Sequence, residues 1–274
     1  MTTTATAINN VTKELHIRYQ KLVNSGPKNM KKNMSSEQFY TTYMCMYAAT
    51  KSVECLQITH EHGCPWDENT CESAASNTLE CLQYVHEHGC PWDKETCESA
   101  ATTGNLRCLT YAHENGCPWD EATCIVAATY GNIACLKYAH ENGCPCPPNL
   151  CYSIATKIKG SDDAVYRRNI ISCLEYARTV IGADWDAAVC AGAAKFGHTW
   201  ILQYAHEHGC PWDINTCKVA IDNNNLECLK YAQIHDCPCS HETYRKIINK
   251  LMEYQYGHHN CTCNYCSIQK NMCK

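Results

Sequence analysis

Tyr111-Ala-His-Glu-Asn-Gly-Cys-Pro-Trp-Asp120 decides the fold of this chain, because it is one of several copies. Its Gly-Cys-Pro core stands at Gly63, Gly89, Gly116, Gly143 and Gly209, with degenerate copies at Gly182 and at Asp236-Cys237-Pro238. Most neighbouring copies lie 26 or 27 residues apart. A unit that short cannot bury its own apolar face, so the seven units must stack on one another around a shared core.

Each copy predicts the same local structure. Thr123-Cys-Ile-Val-Ala-Ala-Thr-Tyr-Gly131 reads as a first helix with Cys124, Ala127 and Ala128 on one face. A second helix from Ile133 to Asn142 turns Ile133, Cys135, Leu136, Tyr138 and Ala139 to the core. Gly131 suits the end of the first helix, Asn132 the cap of the second, and Gly143 a second-helix end at positive φ. After the proline, Asp67, Asp93, Asp120 and Asp213 stand where an N-cap carboxylate accepts backbone N–H bonds, and Ser240 takes that place before the last helix. Trp66, Trp92, Trp119, Trp185 and Trp212 recur in the loops and predict a ladder along one edge. His60, His86, His113, His140 and His206 fall in the last turn of the second helices, positioned to donate to loop carbonyls.

One domain is expected, organised in four stretches. Residues 1–38 form a basic capping helix and linker, with Val11, Leu15, Tyr19 and Leu22 on one face. Seven repeats occupy 39–239, and an insertion at about 156–172 lengthens the inter-helix link of the fifth and projects from one face. A C-terminal capping helix over 240–257 carries Tyr244, Ile247, Ile248 and Leu251, and 258–274 is a Cys/His-rich tail.

Composition narrows the function classes. No apolar run approaches twenty residues, and Met1-Thr-Thr-Thr-Ala-Thr-Ala lacks the basic and apolar regions of a signal peptide, which predicts a cytoplasmic chain with no membrane partner. The 25 cysteines repeat in phase with the apolar residues and read as reduced thiols filling a core. Between basic ends, residues 37–240 carry 25 acids against 12 bases, so no nucleic-acid partner is expected.

Ala-Ala-Thr-Tyr-Gly-Asn-Ile-Ala-Cys-Leu-Lys-Tyr-Ala-His-Glu-Asn-Gly (127–143) resembles the two-helix body of an ankyrin repeat. The unit is shorter than an ankyrin repeat, Thr-Cys replaces the Thr-Pro-Leu-His turn, and Cys-Pro-Trp-Asp replaces the protruding hairpin. This variant is similar to ankyrin-like repeats encoded by giant DNA viruses and by some protists they infect. The resemblance implies an all-α, ankyrin-like solenoid of stacked helix-turn-helix repeats with helical caps, a protein partner, and host cytoplasm as the location if viral. It also implies an alternative role as a substrate adaptor for a host ubiquitin ligase.

Several constellations invite chemistry. Cys108, His113, Cys117 and Cys124, or Cys81, His86, Cys90 and Cys97, offer four soft ligands per unit, and zinc-binding structural scaffold is a further alternative. Against it, the fifth unit has Arg178 for the His and the sixth has Ile201 for a Cys, swaps that suit core positions. Catalysis by a Cys–His pair needs one pair unlike the rest, and here each is a copy, so no enzyme and no cofactor are expected. In the tail, Cys261, Cys263, Cys266, Cys273, His258 and His259 are the alternative zinc ligands. The remaining expectation is a non-enzymatic scaffold that binds a protein, not a small molecule, through residues varying between units on the first helices. These are Glu72 and Ser73, Glu98 and Ser99, Ile125 and Val126, Tyr152 and Ser153, Lys218 and Val219.

Overall fold

The computed structural model describes residues 36–240 apart from 62 and 159–162, together with 242, 245 and 246. Both predicted caps and the Cys/His-rich tail lie outside the described residues or at their margin. The described chain is all-helical. First helices are α1 (Ser36–Ala49), α3 (Glu68–Ala75), α5 (Lys94–Thr103), α7 (Glu121–Thr129), α9 (Leu150–Lys157), α11 (Ala187–Phe196) and α13 (Ile214–Asp222). Second helices are α2 (Val53–Glu61), α4 (Leu79–Glu87), α6 (Leu106–Glu114), α8 (Ile133–Glu141), α10 (Ala164–Tyr176), α12 (Thr199–Glu207) and α14 (Leu226–Ile234).

Where one domain was expected, the chain divides into two compact units. One comprises the described residues up to Leu150 with Ile158–Ala183, and the other comprises Cys151–Lys157 with those from Asp184 on. In the first, hairpins α1–α2, α3–α4, α5–α6 and α7–α8 stack in series and α10 packs on α7 and α8; in the second, α11–α12 and α13–α14 stack in the same way. Each unit is thus a short helical-repeat solenoid.

The core follows the pattern read from the repeat. Cys71, Ala74 and Ala75 on α3, and their equivalents Cys97, Ala100, Ala101 and Cys124, Ala127, Ala128, are fully buried. Such small side chains let first helices approach closely. The second helices supply bulk through Leu56, Leu82, Leu109 and Leu136, each contributing roughly 1.5–3 kcal/mol by leaving water. Ile201 fills the cysteine position of the sixth repeat without a change in burial. In the second unit, a Cβ at Gly192 would meet the Thr156 methyl at 2.7 Å and the Tyr152 ring at 3.1 Å, so only glycine lets α11 lie this close to α9.

The aspartates cap as expected. Asp93, Asp120, Asp186 and Asp213 accept from the backbone N–H two residues on, at 2.9 to 3.1 Å, and Asp67 accepts from Thr70. Asn132 behaves differently from expectation. Its side chain does not cap α8; its amide donates to the carbonyls of Ala101 and Thr102 at the end of α5, both at 2.8 Å. Asn225 repeats this toward Ala194 and Lys195, and Asn105 both caps the Cys108 N–H and donates to the Asn77 carbonyl. At two of these links a glycine makes the room: a Cβ on Gly104, at φ 74°, would stand 2.6 Å from the Asn132 amide oxygen, and one on Gly197 2.9 Å from that of Asn225.

In the fifth repeat, residues 159–162 of the insertion lie outside the described residues; the described part from Asp163 on joins α10, which runs 13 residues instead of the usual nine, with Asp163 capping both Val165 and Tyr166. The added turn packs back on the fourth repeat, where the Tyr166 hydroxyl donates to the Thr129 carbonyl at 3.1 Å. A one-residue surplus before Gly182 is absorbed by a π-turn, Ala177–Ile181. The closing bond there spans six residues, Ala183 N–H to the Ala177 carbonyl, against five in the neighbour, Cys144 to Ala139. Trp185 and Asp186 thereby regain the register of the other loops.

Candidate functional site

The phrase that defines the repeat is consumed by joints between repeats. His86 stacks on Trp92 of its own loop, ring centroids 3.8 Å apart, while its Nδ1 lies 2.8 Å from the hydroxyl of Tyr111 one repeat on. The pattern recurs at His113, with Trp119 at 3.7 Å and the Tyr138 hydroxyl at 3.1 Å, and at His206, with Trp212 at 3.9 Å and the Tyr231 hydroxyl at 3.0 Å. In the fourth repeat, whose loop has no tryptophan, His140 still reaches the Tyr176 hydroxyl at 3.1 Å. The expected bonds from these histidines to loop carbonyls are replaced by bonds to tyrosine. The tryptophan ladder is one of alternating Trp, His and Tyr. His206 titrates below the usual histidine range, chiefly because burial disfavours its charged form and secondarily because His235 is near.

The cysteines divide into core and loop sets. Burial pushes the second-helix thiol of Cys108 up to about 12 and that of Cys135 to about 11, leaving little thiolate at neutral pH. The loop thiols of Cys117, Cys144 and Cys210 donate to the backbone carbonyls of the capping residues Asp93, Asp120 and Asp186, at 3.1 to 3.2 Å. Each loop sulfur also sits beside the first-helix cysteine of its own hairpin, Cys117 beside Cys97 and Cys210 beside Cys190. The quartets read from the sequence, such as Cys108, His113, Cys117 and Cys124, are therefore not brought together, and among the described residues no group of three or more His, Cys, Asp or Glu is placed to hold a metal ion. The alternative zinc ligands His258, His259, Cys261, Cys263, Cys266 and Cys273 lie outside the described residues. One expectation about the thiols is corrected: Cys124 and Cys146 form a disulfide, with Cα atoms 5.7 Å apart.

The proposed contact residues fall one and two places after the first-helix cysteine, so they share one side of each helix, away from the second helix. Glu72, Ser73, Glu98, Ser99, Ile125 and Val126 are half-buried on the first unit. On the second, Tyr152 and Val219 are half-buried and Lys218 is exposed, but Ser153 is buried at 3 % exposure and offers no surface. Lys218 borders a surface hollow of about 470 Å³ shared with Ile214, Ile221 and Lys246.

Electrostatics single out the first unit. Burial raises the pKa of both Glu72 and Glu98, and neighbouring carboxylates add to it, Asp93 and Glu95 at Glu72 and Asp120 at Glu98. Lys94 holds the row together, with Nζ 2.8 Å from Asp120 and 3.9 Å from Glu98. Lys94, Asp93, Glu95 and Asp120 were missing from the sequence-derived set. Their signal was present in the Asp93-Lys94-Glu95 charge run, but their placement opposite Glu72 and Glu98 depends on how α3, α5 and α7 stack.

No protein-family model and no curated protein matches the chain. Among the solved structures that align with it are two of the pentatricopeptide repeat protein PPR10 in complex with an 18-nt psaJ RNA element, one of them carrying cysteine-to-serine changes. Each has 11% sequence identity and a TM-score of 0.36, and the alignment covers 89% of this chain and 45% of the other, so this chain spans less than half of that protein's length. Both were solved bound to RNA, and the expectation that nucleic acid is excluded as a partner is withdrawn. Among the described residues, no helix is long and apolar enough to cross a membrane.

Proposed function

We propose that the chain is a non-enzymatic binding scaffold that engages a protein partner on the outward side of its first helices, with Glu72 and Glu98 receiving a basic segment. The observation that carries this reading is the electrostatic state of those two residues. Each is half-buried with its pKa raised by burial and by neighbouring carboxylates, so the fold disfavours the charged form of each. A cationic side chain docked there would offset that penalty, as Lys94, 3.9 Å from Glu98, already does in part. Ile125 and Val126 beside them supply apolar area of the kind found at the centre of interfaces.

The test is affinity capture with the full chain and a Glu72→Lys, Glu98→Lys double variant, with and without ribonuclease. Proteins retained by the natural chain, lost by the variant and indifferent to ribonuclease support the reading, provided both chains give the same circular dichroism spectrum. Equal retention by both removes this face, and loss on ribonuclease treatment makes RNA the ligand.

A further inference from the structure

Two of the seven loops break the tryptophan pattern in the same way. Three places after the loop glycine stand Trp66, Trp92, Trp119, Trp185 and Trp212, but the fourth and seventh loops carry Cys146 and Cys239 instead. Each of these cysteines follows a buried first-helix cysteine by 22 residues, Cys124 in one case and Cys217 in the other. In the fourth repeat that pair is a disulfide. In the seventh both thiols are free, Cys217 buried and Cys239 partly exposed.

The two sites share their framework. Asp120 and Asp213 cap their helices through bonds of 2.9 Å, and the loop thiols of Cys144 and Cys237 donate to the carbonyls of those same aspartates at 3.2 and 3.5 Å. The loop backbone is pinned alike, Cys144 N–H to Ala139 and Cys237 N–H to Ala232, both at 2.9 Å. A backbone held in the same way implies for Cys217 and Cys239 a Cα separation close to the 5.7 Å of the bonded pair, within the range a disulfide spans. The Cys239 thiol is pushed up first by burial and then by the nearness of Cys217.

Cys237 is the competing partner for Cys217, since its sulfur lies beside it. The fourth repeat resolves the choice. There the loop thiol of Cys144 stays free and keeps its carbonyl, while Cys146 takes the bond. The pairs Cys71 with Cys90, Cys97 with Cys117 and Cys190 with Cys210 likewise remain dithiols.

We propose that Cys217 and Cys239 are a reversible thiol–disulfide site of the last repeat, oxidised by a small-molecule disulfide of the glutathione type. The partly exposed Cys239 thiolate attacks one sulfur of the oxidant, releasing one reduced thiol and leaving a mixed disulfide. The Cys217 sulfur then attacks the Cys239 sulfur, loses its proton to solvent and releases the second reduced thiol. The product ties α13 to the chain leading into residue 240 and beyond.

The experiment is to incubate the full chain with oxidised glutathione, alkylate remaining thiols and map peptides without reduction. The expected result is a Cys217–Cys239 peptide beside the Cys124–Cys146 one, with two fewer titratable thiols than after mild reduction of the seventh-repeat pair. In Cys239→Trp, which restores the loop residue of five other repeats, Cys217 stays alkylatable after the same oxidation and no Cys217–Cys237 link forms. Recovery of Cys217 linked to Cys237, or of Cys217 and Cys239 both alkylated while Cys124–Cys146 is fully bonded, overturns the proposal. Should the variant melt early, the map of the natural chain decides alone.

Discussion

The hydroxyl of Tyr111 lies 2.8 Å from Nδ1 of His86, joining two side chains 25 residues apart in sequence across the boundary between consecutive repeats. Because the His86 ring also stacks on Trp92, one residue couples its own loop to the next second helix. A neutral hydrogen bond is worth about 1 kcal/mol net and an aromatic stack about 0.5–1.5 kcal/mol more. Tyr111→Phe should therefore lower the melting temperature by roughly 2–4 °C, and His86→Ala by more. A double-mutant cycle on the pair should give a coupling energy clearly above zero, whereas strict additivity would show that the bond contributes nothing.

The same joints set a pH dependence. Burial first, and His235 second, depress the pKa of His206, so the fold prefers the neutral ring. The stability this provides is complete above the unfolded value of about 6.5 and is lost as pH falls. Melting curves from pH 7.5 to 5 should show a downward trend that His206→Gln reduces.

Glu72 and Glu98 work in the opposite sense. Their pKa values are raised by burial and then by adjacent acids, so their contribution is complete below the unfolded value of about 4.3 and disappears as pH rises through the raised value. Glu72→Gln and Glu98→Gln should each raise the melting temperature at pH 7 and have no such effect near pH 4. A loss of stability at pH 7 would mean that these carboxylates serve the fold itself.

Glycines at positive φ should separate into two classes. Gly104 and Gly116 sit at φ 74° and 83°, but a Cβ on Gly104 would strike the Asn132 side chain at 2.6 Å while one on Gly116 meets nothing within 4 Å. Gly116→Ala should cost about 1 kcal/mol from backbone strain, and Gly104→Ala at least twice that. Gly116→Asn should be milder still, since Asp236 already occupies the equivalent place at φ 57°.

The loop thiols give a test of donor against ligand. Cys117 donates to the Asp93 carbonyl at 3.1 Å, so Cys117→Ser should melt close to the natural chain. Cys117→Val removes that bond and leaves the carbonyl only the Thr96 N–H at 3.1 Å, which should cost about 0.5–1.5 kcal/mol. Equal losses for both substitutions would point to a role for sulfur itself.

Much of the fold was legible in the chain because its signals act within one turn or one loop. The capping of Asp120, the positive φ of Gly143, the apolar face of Cys135, Leu136 and Ala139, and the Ile201-for-Cys exchange all follow from neighbours a few residues away. The candidate site was half legible: variation one and two places after each first-helix cysteine marked Glu72 and Glu98. The burial of Ser153 and the acidic surroundings of those two glutamates depended on the helix stacked alongside.

By itself the sequence determined the repeat, its register, its helix ends and its small-residue core, since each is set by backbone geometry and local spacing. Only the tertiary structure decided where the polar groups go. His86 bonds Tyr111, Cys117 bonds Asp93, and Asn132 bonds Ala101, across 25, 24 and 31 residues. Buried donors and acceptors must find partners, and stacking supplies these from the adjacent repeat.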